Sequence, residues 1–94
     1  MNLKKYLPIG TVVLLKEATK RIMIMGFCCV DQEKSDKVYD YCGVIYPEGY
    51  LVANQFLMFN HDQIDKIFYL GLDDEENKEF HNDLNEFMNQ QENK

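Results

Sequence analysis

The chain has 94 residues, 46% of them hydrophobic and 13% aromatic, which is enough apolar material for one small domain and too much for a disordered segment. Its net charge of −6 is unevenly placed: residues 1–72 hold eight acidic and eight basic side chains, while residues 73–94 hold eight acids against Lys78 and Lys94. A neutral body with an acidic end lacks the clustered positive surface that phosphate-backbone binding needs, which argues against nucleic acid as a partner.

The N-terminal MNLKKYLPIG has two lysines but no following apolar run or cleavage site, so no signal peptide is expected. Leu7-Pro8-Ile9-Gly10 reads as an entry turn, which starts a first strand at about Thr11. Thr11–Leu15 is a continuous apolar and β-branched run, as for a strand covered on both faces. The polar stretch Lys16–Lys20 is too short for a crossover helix, so the next strand returns antiparallel. Ile22–Val30 is apolar or small throughout, and Gly26 in its middle marks a bulge or bend. Asp31–Lys37 is a charged loop. Val38–Tyr46 alternates, with Tyr39, Tyr41, Gly43 and Ile45 on one face and Asp40, Cys42, Val44 and Tyr46 on the other. Pro47-Glu48-Gly49 is a turn in which glycine supplies the positive φ.

Tyr50–Ala53 and Phe56–Phe59 are two shorter strand candidates. Asn60 is placed to cap a helical turn near 61–66, with Gln63 reaching back to it, and Ile67–Leu70 resumes β character. From Asp73 the pattern changes: Asp73 or Asp74 caps a helix over 73–90, and Glu75 and Glu76 fill its first turn. Phe80, Leu84, Phe87 and Met88 recur at i, i+4, i+7 and i+8, an apolar stripe that must dock on the β-body or on a partner. A polar tail, 91–94, follows. The expected fold is α+β, one domain over 1–94. Its β-rich body (7–72) is a small, strongly bent antiparallel sheet or SH3-like barrel of about five strands, followed by a C-terminal amphipathic helix. An open sheet with the helix across one face fits the same periodicity.

Motifs that carry chemistry are missing. The glycines are too dispersed for a phosphate cradle, and the one serine, Ser35, sits in the charged loop. Cys28, Cys29 and Cys42 lack CxxC spacing and lie in apolar runs, where cysteine serves as a small reduced core residue. Reduced thiols, and the lack of any apolar stretch of about 18 residues, place the chain in the cytoplasm and off the membrane. A Cys42–His61 nucleophile pair has no electropositive setting to activate it. His61 reads as a surface residue of a first helical turn, and His81, on an acidic helix, as solvent-facing. No metal and no cofactor is expected, and the acids Asp73–Glu76 lack calcium-loop spacing.

The residues with the strongest recognition character are Tyr46, Pro47, Glu48 and Tyr50 at the third strand's end, because tyrosine is enriched at protein-binding surfaces. Phe80, Leu84, Phe87 and Met88 join them if the helix stripe faces a partner, and the same stripe would support a homo-oligomer.

LPIGTVVLLK, KRIMIMGF, YDYCGVIYPEG and FNHDQI, followed by an acidic helix, together resemble a small family of unknown function from Gram-positive bacteria. Matching positions are Leu7, Pro8, Gly10, Gly26, Tyr39, Asp40, Tyr41, Gly43, Tyr46, Pro47, Glu48, Gly49, Phe59, Asn60, His61 and Ile64. The resemblance implies an association with type VII secretion loci and LXG-type toxins, and no catalytic activity. The expected function is a non-enzymatic protein-binding accessory factor, a chaperone or adaptor for a secreted LXG-type toxin. Alternatives are an immunity protein, whose acidic helix imitates a negatively charged substrate, and a small ligand-binding or hydrolytic enzyme using His61 and Cys42.

Overall fold

A computed structural model describes residues 6–30, 38–51 and 56–92, without the side chains of 28–30 and 89–92. The described residues form five strands: β1 (Val12–Leu15), β2 (Ile22–Val30), β3 (Val38–Ile45), β4 (Leu57–Phe59) and β5 (Ile64–Tyr69). One helix, α1 (Glu75–Glu92), follows. The sheet is antiparallel throughout, in the order β4-β3-β2-β1-β5.

The sheet is strongly bent. A flat five-stranded sheet would separate its outer strands by roughly 19 Å, yet β4 and β5 occupy opposite edges and are joined by Asn60 and one 3-10 turn, His61–Gln63. Such a turn rises only about 2 Å per residue, so the edges must curl toward each other. Among the described residues no ladder pairs β4 with β5. The sheet is therefore open and not a closed barrel, which decides between the two architectures expected from the periodicity. Bending is assisted where Gly26 predicts it: the β2–β3 register shifts between Ile24 and Gly26. A Cβ at Gly26 would meet the Cys42 sulfur at 2.9 Å.

The entry turn is present, with Thr11 N–H donating to the Pro8 carbonyl at 3.2 Å. The Tyr46–Pro47 bond is cis, and Gly49 has φ +75° as its turn requires. The expected Asn60–Gln63 relation also forms, the Asn60 N–H donating to Gln63 Oε1 at 2.8 Å. The helical turn ends sooner than 61–66, because Ile64 already pairs with Leu15 in β5 and packs against the core. The strand candidate Tyr50–Ala53 falls partly outside the described residues, and Tyr50 and Leu51 are coil. The loop Asp31–Lys37 lies outside them altogether.

The inner face of the bend holds Tyr6, Val13, Ile22, Ile24, Tyr41 and Phe59, with Leu7, Leu15, Phe27, Ile64 and Leu84 packed against them. Alternation sends Val12, Met23 and Val44 to the outer face. At the end of β5 the chain passes so close to the entry turn that a Cβ on Gly71 would stand 2.1 Å from the Ile9 carbonyl oxygen. Gly71 N–H donates to the buried Thr11 Oγ1 at 3.0 Å, tying this crossing to β1.

Candidate binding surface

The two most distinctive sequence blocks, YDY and FNH, meet in space. Tyr41 and Phe59 are cross-strand partners whose rings stack at 5.4 Å. Asp40 N–H donates to Asn60 Oδ1 at 3.1 Å, and His61 N–H donates to Asp40 Oδ2 at 2.8 Å. The Tyr41 hydroxyl accepts the Leu7 N–H at 3.0 Å and is hydrogen-bonded to His61 Nδ1 at 2.7 Å. Every polar atom named here is used to hold the N-terminal segment, β3 and the 3-10 turn together. Burial pushes the Tyr41 phenol up to about 12, so it stays a neutral hydrogen-bonding group at ordinary pH. Cys42, the next residue on β3, points the other way, toward Gly26, and is not brought to His61. This network accounts for the blocks as architecture.

The YPEGY corner forms a second arrangement on the outer face. Lys20 grips Glu48 through both carboxylate oxygens, at 2.8 and 3.0 Å, and this hydrogen bonding holds the Glu48 carboxyl below its usual range. Next to it the Arg21 guanidinium lies 5.1 Å from the Tyr46 ring centroid and 5.3 Å from that of Phe68. Both distances are within cation–π range. Arg21, Tyr46 and Phe68 form one end of an open groove of about 490 Å³, completed by Gly10, Val12, Met23 and Tyr69. Tyr50 is exposed nearby in sequence but does not line the groove.

The third feature is β5 itself. Among the described residues it is an edge strand paired only with β1, and every residue of it after Ile64 is exposed. Ile67, Phe68 and Tyr69 run into Leu70 and Leu72, with Tyr69 65% and Leu72 76% exposed. Sequence reasoning passed over these residues as an ordinary final strand. One signal was there: four consecutive apolar residues with no alternation, in a chain too small to cover both faces of every strand.

The helix is placed differently from its apolar stripe. Asp74 caps it, its carboxylate accepting the Asn77 N–H at 3.0 Å. Of the stripe, Leu84 packs on the core and Met88 is half-buried. Phe80 and Phe87 are 49% and 52% exposed. The inner positions belong to His81 and Asn85, so His81 is not solvent-facing: it is 8% exposed. Its ring sits among those of Phe27, Tyr6 and Phe80, with centroids 5.0, 5.8 and 6.0 Å away. Asn85 Nδ2 donates to the His81 carbonyl at 3.0 Å. With His81 and Asn85 in the inner positions, Phe80 lies half-exposed at the rim of the ring cluster, against Phe27 and His81, and Phe87 faces outward.

Among the described residues no three His, Cys, Asp or Glu side chains converge in metal-binding geometry, and no helix is long and apolar enough to cross a membrane. No curated protein and no solved structure matches the chain. A family model does match, over residues 6–80, the stretch that contains the five strands and the start of the helix. The chain belongs to the family described as the domain of unknown function DUF4176.

Proposed function

We propose that the chain is a non-enzymatic protein-binding module that takes its partner along β5. The observation that carries this reading is the edge strand with apolar side chains exposed on both faces, Ile67, Phe68 and Tyr69, continued by Leu70 and Leu72. Natural edge strands are usually guarded by charge, proline or a covering element. Here the charged residues Asp65 and Lys66 sit at one end only. Although its pairing with β1 shifts register between Val12 and Val13 and between Leu14 and Leu15, an apolar edge of this kind suits strand addition, in which main-chain hydrogen bonds give affinity and alternate side chains give specificity. A contiguous apolar patch on a small domain also marks an interaction site.

The partner, on the sequence resemblance, is an LXG-type toxin exported by type VII secretion, and the chain acts on it in the cytoplasm as a chaperone or adaptor. Deleting the gene tests this directly. Loss of toxin from the culture medium, with survival of cells that hold intracellular toxin unchanged, supports export help. Normal export with loss of protection assigns an immunity role instead.

A further inference from the structure

We infer that the outer-face groove binds a carboxylate carried on an apolar protein segment, with Arg21 as the anion-binding group. The inference rests on the protein-binding reading only in taking the occupant to be protein.

Arg21 is the only charged side chain among the seven lining residues. Its guanidinium lies over two rings, Tyr46 at 5.1 Å and Phe68 at 5.3 Å, an arrangement that leaves in-plane N–H donors able to take an anion. The nearest acid in sequence to this corner, Glu48, is taken by Lys20 at 2.8 Å and is not shared with Arg21. Among the described residues the Arg21 guanidinium has two aromatic contacts and no ion pair. Such stacking holds a long, flexible side chain in place, which lowers the ordering cost of a later ion pair. A planar guanidinium fork suits a carboxylate better than any other common protein anion, because two parallel N–H···O bonds form together.

The rest of the lining is apolar: Val12, Met23 and the rings of Phe68 and Tyr69. A volume of about 490 Å³ lies within the roughly 300–1,000 Å³ of ligand pockets. It takes one large apolar side chain beside the acid. The groove is open and is continuous through Phe68 and Tyr69 with the β5 strip, so a chain segment can enter it without threading. The matching ligand is an acidic residue adjacent to a leucine or an aromatic residue.

NMR on the isotopically labelled full chain tests it, using acetyl-Leu-Glu-Phe-Glu-Leu-amide and the same peptide with both glutamates replaced by glutamine. The acidic peptide is expected to shift the Arg21 side-chain Nε–Hε and Met23 methyl signals saturably and to bind at least tenfold more tightly than the glutamine peptide. Arg21→Met removes this preference without lowering the melting temperature, and Arg21→Lys retains only part of it. Equal binding of the two peptides, or shifts that bypass Arg21 and Met23, overturns the proposal. Decanoate that displaces the peptide and binds more tightly reassigns the groove to small amphiphiles. A concentration-dependent dimer abolished by Arg21→Met reassigns it to the acidic, phenylalanine-bearing helix of a second copy. A toxin that binds Arg21→Met as well as the wild type keeps the β5 reading and removes the carboxylate from it.

Discussion

The Tyr41 hydroxyl and His61 Nδ1 stand 2.7 Å apart, joining a fully buried residue of β3 to an exposed residue of the turn before β5. Because the same hydroxyl accepts the Leu7 N–H, one oxygen ties three separate stretches of chain. Replacing Tyr41 with Phe leaves that N–H unpaired, at a cost of roughly 1–3 kcal/mol, read as a drop in stability by urea unfolding. The phenol also predicts an alkaline limit. It ionises near 10 in the unfolded chain and near 12 in the fold, so its contribution is complete below pH 10 and is lost as pH rises through about 12. Stability of the Tyr41→Phe variant, measured over that window, should fall less steeply than that of the wild type.

His81 sets a limit on the acid side. Burial among Tyr6, Phe27 and Phe80 lowers its pKa, and its Nε2 has no hydrogen-bond partner. Stability from the neutral ring is full above the ordinary histidine pKa, near 6.5, and is lost as pH falls toward the depressed folded value. Melting temperatures at pH 7 and pH 5 should differ more for the wild type than for His81→Phe, which keeps a ring and removes the titration.

Much of this fold was legible from residue types. Gly26 marked the register shift in β2, Asn60 and Gln63 marked the 3-10 turn, and the pair Asp73-Asp74, of which Asp74 is the cap, marked the helix start, because each signal is local and each is set by backbone geometry. Which side chains of α1 face inward was not legible. Hydrophobicity favoured Phe80 and Phe87, but an aromatic cage built by residues 6 and 27 accepts His81, and no periodicity along the helix reports what waits on the other side. The Arg21 groove was missed for the same reason. Tyr46 was a candidate from its own corner, yet Arg21 and Phe68 join it only through the β2 and β5 positions in the sheet.

The helix placement makes a direct contrast. Leu84→Ala should destabilise the fold by about 1–2 kcal/mol, somewhat under the cost for a fully buried leucine. Phe87→Ser, at an exposed position, should change stability by no more than about 0.5 kcal/mol. Thermal melts of the two single variants give the comparison, and the opposite ranking would mean that the helix is turned the other way.

Of the glycines, Gly71 leaves the least room for a side chain, 2.1 Å being far inside any tolerated Cβ contact with the Ile9 carbonyl oxygen. Gly71→Ala must move backbone apart and strain the Thr11 hydrogen bond. The expected loss is about 2–4 kcal/mol, visible as an early unfolding midpoint and as faster amide exchange at Gly71.

The central claim, that β5 is where a protein partner binds, is tested by native mass spectrometry of the purified 11.1 kDa chain mixed with an LXG toxin domain. A one-to-one complex is predicted. Tyr69→Lys with Leu72→Lys, at the two most exposed positions of the strip, should weaken it at least tenfold while leaving the melting temperature unchanged. A chain that stays at its own mass in the mixture, or a complex indifferent to both lysines, would contradict the account.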